Sequence, residues 1–362
     1  MTEFEIKQQR LRELMVKHHL EAILLQRVSS FAWATCGASS YVNTAVSFTA
    51  SMLLITPTHR YLIANNIETP RFEREEKLAT QGWELQTRYW HQPSALAELT
   101  RGLKIGTDMP HPTALDLSDE IARLRAQLLP EESERFRTLG KLSGEAMNAA
   151  IHLVKPGQTE FEIAAKLGEE VQARGAQPIV NLIATDERVF SFRHPLPTNK
   201  KLERYAMLVL GARKWGLTAS ITRLVHFGKL PAEINRKAEA VARVDATFIA
   251  NTRPGKSLSE IFSAATQAYA EVGFADEWNL HHQGGAAGYE PREYLGSPKS
   301  QEVVLAGQAF AWNPSITGTK SEDTILVGKN GNEILTEIAD WSRVRVDMNG
   351  QTIFRPAILI CT

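Results

Sequence analysis

Five short apolar runs, set between long helix-like segments, are the feature that most limits how this chain can fold. The runs read PIVNLIA (178–184), AMLVLGA (206–212), ASITRLV (219–225), AFAWN (309–313) and DTILV (323–327). Runs of this length and composition are typical of buried strands. Helices that alternate with pairs of such strands predict an α+β domain with a curved antiparallel sheet.

The helices between these runs carry their own start and stop signals. A helix is predicted over 131–154, because Lys155-Pro156-Gly157 would end it. The pairs Thr159/Glu162 and Ser257/Glu260 have the spacing of a capping box, so each predicts a helix start. These two helices are expected to stop near Gly175 and Gly273. The segment KLPAEINRKAEAVARV (229–244) carries charge on one face and is predicted to be a solvated surface helix.

The first third of the chain has a different pattern. Residues 4–19 predict a helix from three- and four-residue apolar spacing, and further helical stretches are predicted near 93–102 and 113–128. Short strands are predicted for EAILL (21–25), SMLLI (51–55), RYLIA (60–64), LQTRYW (85–90) and LKIGT (103–107). This alternation predicts an α/β layer, and Pro130 marks a boundary. We therefore expect an N-terminal domain over 1–130 and a second domain over 131–362.

Composition excludes several classes of partner. The chain has 362 residues, enough for two domains, and its formal net charge is zero without a Lys/Arg-rich run. That argues against nucleic-acid binding. No apolar run approaches the roughly 20 residues of a membrane span. Two cysteines cannot form a disulfide framework, and the start MTEFEIKQQR lacks the apolar core of a secretory signal, so a cytoplasmic location is expected.

Four segments together resemble the creatinase / aminopeptidase P / prolidase superfamily. They are VKPGQTEFEIAAKLGEEVQARGA (154–176), LVLGARKWGLTASITRLV (208–225), HHQGGAAGYEPRE (281–293) and FAWNPSITGTKSEDTILV (310–327). The resemblance covers about residues 130–340. It implies a pita-bread C-terminal domain behind a smaller α/β domain of the creatinase type. It also implies a homodimer.

The resemblance also identifies the positions of a metal site. The superfamily holds two metal ions with two Asp, one His and two Glu. The motifs place Val209, Ser220, His282, Asn313 and Glu322 at those five positions. Valine has no lone pair and a serine hydroxyl is a weak ligand, whereas two divalent ions need several anionic ligands. The sequence therefore predicts no bound metal and no other cofactor.

The resemblance further implies catalytic and substrate-binding residues. His194, in RHPLPTNKKLE (193–203), matches a histidine that faces the substrate and that is the acid/base in the metal-free creatinase branch. Tyr289 takes the place of a second substrate-binding histidine. The predicted catalytic residues are His194, His282, Glu290 and Glu322. The predicted substrate-binding residues are Tyr289, Arg292, Glu293, Arg223, Asn313 and Lys320.

The chemistry of these side chains fits that assignment. Histidine exchanges protons near neutral pH, and arginine can clamp a carboxylate through two parallel hydrogen bonds. Glutamate can orient a histidine or bind a cationic group. We expect Arg193, His194, Arg223, Lys320 and Glu322 to converge on one cleft.

Three functions follow as hypotheses. The first is a metal-independent hydrolase of a C–N bond in an amide, an amidine or a small peptide, with a small-molecule or short-peptide substrate. The second is a pseudo-peptidase that binds a ligand or partner without catalysis. The third is an atypical Xaa-Pro metallopeptidase with one metal on His282, Glu322 and either Glu290 or Asn313.

Overall fold

The structure is a computed structural model that describes residues 1–348 and 350–361. The chain divides into two compact units. The first comprises Met1–Glu131 with Trp215–Leu217, and the second comprises Glu132–Lys214 with Thr218–Thr362. The predicted domains, 1–130 and 131–362, differ from these units at residue 131 and at residues 215–217.

The first unit is built on a mixed six-stranded sheet. Its helices are α1 (Glu3–His18), α2 (Val28–Ala34), α3 (Thr69–Arg74), α4 (Leu96–Leu99) and α5 (Ser118–Ala126). Its strands are β1 (Ala22–Arg27), β2 (Phe48–Ile55), β3 (Arg60–Asn65), β4 (Glu84–Arg88), β5 (Ile105–Thr107) and β6 (Leu115–Asp116). The strand order is β4-β3-β2-β1-β5-β6, with β1 antiparallel to β2 and parallel to β5. The helices predicted near 93–102 and 113–128 correspond to α4 and α5, which are shorter than expected.

The helices of the second unit are α6 (Pro130–His152), α7 (Glu160–Ala173), α8 (Glu187–Ser191), α9 (Ala232–Asn251) and α10 (Leu258–Glu271). Three of these helices, α6, α7 and α10, begin within one residue of the positions that the sequence signals predict. Both predicted capping boxes are confirmed, because Thr159 and Ser257 each accept a hydrogen bond from the backbone three residues on, and the glutamate there bonds back. The prediction for 229–244 is wrong in part, since α9 buries one face that includes Asp245.

The five apolar runs all contribute strands to the second unit. Its strands are β7 (Gln177–Thr185), β8 (Tyr205–Lys214), β9 (Leu217–Phe227), β10 (Gly284–Ala287), β11 (Tyr294–Leu295), β12 (Ala309–Trp312), β13 (Ser315–Ile316), β14 (Thr319–Lys320), β15 (Asp323–Val327), β16 (Asn332–Ile334), β17 (Arg343–Met348), β18 (Gln351–Pro356) and β19 (Leu359–Cys361). One sheet has the order β19-β9-β8-β7 and another β11-β10-β12-β15-β16. The two short ladders are β13-β14 and β17-β18.

One isolated pairing joins the two larger sheets of this unit. Thr222 of β9 forms an antiparallel bridge with Glu322, the residue just before β15. A buried apolar cluster that includes Met207 and Val209 of β8 joins the four-stranded sheet to Val189 of α8 and Ile234 of α9. Thr222 and Glu322 therefore lie where the four-stranded sheet meets the five-stranded sheet. Among the helices of the described residues, none has the length and apolar character to cross a bilayer.

Candidate active site

The bridge between the two sheets borders a cleft in the second unit. One wall is apolar and comes from β7 and β8, with Val180, Leu182 and Val209. The opposite side is polar. Its residues are His194, Ser220, His282, Arg292, Asn313, Lys320 and Glu322. The cleft therefore offers an apolar surface facing hydrogen-bonding and charged groups.

All five positions that the motifs align with metal ligands line this cleft. Val209 lies in β8 and Ser220 in β9, and His282 comes just before β10. Asn313 follows β12, while Glu322 precedes β15. Since β10, β12 and β15 are neighbours in one sheet, their ends bring these residues together.

An ion triad occupies the polar side of the cleft. Arg292 Nη2 lies 3.0 Å from Glu322 Oε1, and Lys320 Nζ lies 2.8 Å from Glu322 Oε2. Thr222 Oγ1 donates to the same Oε2 at 2.5 Å, and Arg292 Nη1 donates to Ser220 Oγ at 3.2 Å. The side chains of Lys320 and Glu322 are each only 4% exposed, and that of Arg292 is 11% exposed. Both carboxylate oxygens of Glu322 are therefore already bound by cations.

These contacts keep Glu322 ionised. Burial alone would raise the pKa of Glu322, but Lys320 and Arg292 outweigh burial and lower that pKa to about 2. Two cations and one carboxylate leave the triad with one unit of positive charge in excess. Arg292 Nε and Asn313 Oδ1 are buried without a hydrogen-bond partner among the described residues. The cleft thus presents a donor and an acceptor that a ligand could satisfy.

Three histidines lie beside the triad. His194 Nε2 and His281 Nε2 are 3.1 Å apart, and the rings of His281 and His282 have centroids 4.4 Å apart. Burial, followed by the charges of neighbouring groups such as Lys320 and Arg292, lowers the pKa of all three, to about 2 for His281 and about 4 for His282. The three imidazoles are therefore neutral at neutral pH.

Buried contacts fix the segments that carry these histidines. Gln283 donates to the backbone carbonyl of His281 at 2.6 Å and accepts from the Tyr269 hydroxyl at 2.9 Å. Arg193 pairs with Glu277 at 2.6 Å and donates to Thr317 at 3.0 Å. Arg193, expected in the cleft, thus anchors the loop of His194 instead.

Three predicted site residues lie in the turn between β10 and β11: Tyr289, Glu290 and Glu293. Among the described residues, none of the three lines the cleft. The Tyr289 hydroxyl donates to Glu132 at 2.6 Å and is buried. Glu293 Oε1 accepts from the backbone N–H groups of Tyr289 (2.8 Å) and Glu290 (3.2 Å). In this structure Glu293 organises the turn, which carries Arg292 into the cleft.

The expectation that Arg223 enters the cleft is wrong. Its guanidinium lies on the other side of β9, where Nη2 bonds to Asp323 at 2.9 Å. Successive side chains of a strand point to opposite faces. Ser220 and Thr222 face Arg292 and Glu322, so Arg223, which has the opposite parity, must face away. The alternation of side chains within ASITRLV already predicts that Arg223 points away from Ser220 and Thr222.

Two residues that the structure brings to the site, Thr222 and His281, have no predicted role. Thr222 donates to Glu322, and its same-face spacing from Ser220 was the available signal. His281 contacts His194, which is 87 residues away in the chain. No local pattern could have identified that pairing.

The donor chemistry of the cleft does not fit a pair of divalent ions. Of the five aligned positions, only His282 and Glu322 are good ligands. Both oxygens of Glu322 are bound by cationic groups, which would repel a divalent ion at the same place. The guanidinium of Arg292 and the ammonium of Lys320 lie where these five positions converge.

Comparisons with known proteins agree with the fold. The family described as metallopeptidase family M24 matches residues 134–329, more than half of the chain. An Xaa-Pro dipeptidase of Pyrococcus horikoshii is 23% identical over 352 residues, 91% of this chain and 97% of that protein. An Xaa-Pro dipeptidase of Pyrococcus furiosus is 29% identical over 231 residues, 61% of this chain and 66% of that protein.

A solved structure extends the likeness over almost the whole chain. The Xaa-Pro dipeptidase of Bacillus anthracis superposes with a TM-score of 0.80 and 19% identity, covering 99% of this chain and all of that one. The predicted fold is confirmed: a pita-bread domain preceded by a smaller α/β domain.

Proposed function

Because this chain belongs to metallopeptidase family M24, we propose that it is a hydrolase of a C–N bond that works without the dinuclear metal centre of such peptidases. One observation carries the proposal. Arg292 and Lys320 both bond to Glu322 at the point where the aligned ligand positions converge. Fixed side-chain cations thus supply positive charge in the cleft.

The charge and shape of the cleft favour a small anionic substrate. The excess positive charge of the triad and the unpartnered Nε of Arg292 suit a carboxylate. Asn313 Oδ1 suits an N–H donor, and the wall of Val180, Leu182 and Val209 suits an apolar side chain or ring. A dipeptide, an N-acyl amino acid or a small amidine with a carboxylate has these groups. The Xaa-Pro dipeptidases among the relatives make Xaa-Pro dipeptides the first substrates to test.

His194 provides the proton transfers in this proposal. As a neutral imidazole at the cleft, it takes a proton from a water molecule that attacks the carbonyl or amidine carbon. Arg292 and Lys320 stabilise the negative charge that develops on a carbonyl oxygen. His194 then returns the proton to the leaving nitrogen as the C–N bond breaks. Water is consumed, and the products are an amine and an acid from an amide or peptide, or an amine and an amide from an amidine.

The test is hydrolysis of a panel of Xaa-Pro dipeptides, other dipeptides, N-acyl amino acids and carboxylated amidines. Each substrate is assayed by mass spectrometry, once with a chelator and once with added manganese. We expect turnover that survives the chelator and that His194→Gln lowers at least about 100-fold. The matched control is His152→Gln, an exposed histidine on α6. Turnover that appears only with added metal would refute the metal-independent mechanism and restore the third hypothesis, an atypical metallopeptidase.

A non-catalytic role is the second candidate, and one observation favours it. His194 Nε2 is already within hydrogen-bond distance of His281 Nε2, so this nitrogen is not free for water. If the protein only binds its ligand, calorimetry will detect a carboxylate ligand that wild type and His194→Gln bind with similar affinity. No product will then form from any substrate in the panel.

Location and assembly remain predictions. The cytoplasmic location and the homodimer follow from cysteine usage and from the resemblance. Size-exclusion chromatography with light scattering tests the dimer directly.

A further inference from the structure

We propose that His194, His281 and His282 form a binding site for a single transition-metal ion of the zinc and cobalt class. This site is separate from the dinuclear centre, because it uses only one of the five aligned ligand positions. The ion would sit beside the Arg292–Glu322–Lys320 triad rather than within it.

The geometry of the three side chains supports the site. One nitrogen from each ring can be chosen so that all three lie within 4.8 Å of one another. The Nε2 atoms of His194 and His281 are 3.1 Å apart, which suits two ligands of one ion with metal–nitrogen bonds of about 2.0–2.1 Å. Small rotations of exposed rings would bring the third nitrogen to the same separation.

The hydrogen bonding around the rings leaves room for a ligand. His281 Nδ1 is buried and has no partner among the described residues. Because no hydrogen bond at Nδ1 fixes the tautomer of His281, the lone pair can lie on Nε2, the atom that faces His194. The side chain of Gln283 holds the backbone of His281, so the His281–His282 pair is already positioned.

The donor type selects the metal. Three imidazoles suit zinc, cobalt, nickel or copper, whereas magnesium and calcium prefer oxygen ligands. His194 and His282 are exposed, so a fourth position stays open to water or to a substrate carboxylate. The nearby cations Lys320 and Arg292 lower the affinity, and Glu322 offsets one of them. We expect micromolar rather than nanomolar binding.

Metal binding has a consequence that rests on the proposed function. A coordinated imidazole has no lone pair for a proton, so an ion on His194 blocks its role as base. The ion would then inhibit the chelator-resistant hydrolysis rather than support it.

The test is titration of chelator-treated full-length protein with cobalt(II), followed by calorimetry and by the visible spectrum. We expect one equivalent of cobalt with the intense bands of a tetrahedral site, and zinc should displace it. His281→Asn is expected to weaken binding more than about tenfold, because even outer partners of a metal site are worth that much. His194→Asn, at an exposed position, gives a second variant in case His281→Asn folds poorly. His152→Asn is the control.

The outcomes separate this inference from the proposed function, because cobalt binding needs no turnover. Loss of the cobalt spectrum in His281→Asn and His194→Asn, with binding retained in His152→Asn, supports the site. The inference is overturned if wild type binds no cobalt, or if both histidine variants bind it as tightly as wild type. Two equivalents that depend on Glu322 would overturn it as well, since they would reveal a dinuclear centre.

Discussion

Two buried ionic clusters lie on opposite sides of the same pair of strand segments. In the cleft, Thr222 and Glu322 face Arg292 and Lys320. Behind them, the next residues along the chain, Arg223 and Asp323, face Arg355 and Asp245. The bridge between Thr222 and Glu322 sets this division, because alternate side chains of paired strands take opposite faces.

The clusters differ in charge balance and in access. Behind the strands, Arg355 Nη2 lies 2.6 Å from Asp245 and 2.7 Å from Asp323, and Ser321 Oγ donates to Asp245 at 2.5 Å. Two arginines formally balance two aspartates there, and their exposure is at most 3%. Burial raises the pKa of Asp245, and Arg355 opposes that rise. The cleft triad has an excess cation and borders an open cavity. We infer that the balanced cluster stabilises the fold and that the unbalanced one is kept to bind a ligand.

The largest effect is expected from Arg355→Met in the balanced cluster. The change leaves Asp245 and Asp323 short of their shared cation, and removal of one partner of a buried ion pair costs about 3–5 kcal/mol. Urea unfolding measures the loss. The control is Arg345→Met, whose pair with Asp347 is largely exposed and should contribute about 1 kcal/mol or less. Similar losses in both variants would mean that the balanced cluster does not stabilise the fold.

Glu322→Gln should destabilise the protein less, by about 2 kcal/mol, the scale of lost hydrogen bonds to a charged group. Arg292 and Lys320 then repel each other, but the cavity lets water or an anion reach them. Added acetate should therefore restore part of the melting temperature of Glu322→Gln and have little effect on Arg355→Met. An equal acetate response in both variants would remove the distinction between the clusters.

Lys320→Met removes the excess charge of the triad and should lower the free energy of unfolding by about 1.5 kcal/mol, the lower end for a hydrogen bond to a charged group, because Glu322 keeps Arg292 as its partner. Affinity for a carboxylate ligand should fall about tenfold, or about 1.4 kcal/mol. Ligand calorimetry beside Lys329→Met, an exposed lysine between β15 and β16, checks this. Unchanged affinity would show that the excess charge is not used for binding.

The smallest effect concerns acid stability. The pKa of His281 is lowered to about 2 and that of His282 to about 4, from 6.5 in a solvated imidazole. As pH falls below 6.5, the unfolded chain binds protons that the folded chain does not, so the free energy of unfolding falls. The slope is below about 1.4 kcal/mol per pH unit for each residue, because solvent screens partly exposed rings.

Between pH 6.5 and about 5, Glu322 stays ionised, so the histidines dominate the difference between variants. His281→Asn should therefore show a flatter loss of stability than wild type over this window. Chemical unfolding at several pH values measures it. Parallel curves for the two proteins would contradict the lowered pKa of His281.

The sequence by itself determined the strands that contain apolar runs, the capped helix starts and the family of the fold. These features depend on patterns within short windows: apolar runs for β7, β8, β9, β12 and β15, and a hydroxyl three residues before a glutamate for α7 and α10. It also identified five residues that line one cleft, because motif spacing is a local property. They are Val209, Ser220, His282, Asn313 and Glu322. The face taken by Arg223 was readable from strand alternation as well.

Only the tertiary structure decided which distant groups meet. Glu322 bonds to Arg292 and Lys320, and His281 contacts His194 across 87 residues of chain. The burial of Asp245 in α9 depends on Arg355 in β18, which lies 110 residues away. Such pairings arise when separate segments pack against one another, and neither periodicity nor propensity encodes them. The charge balance that distinguishes a stabilising cluster from a ligand site is therefore a property of the fold.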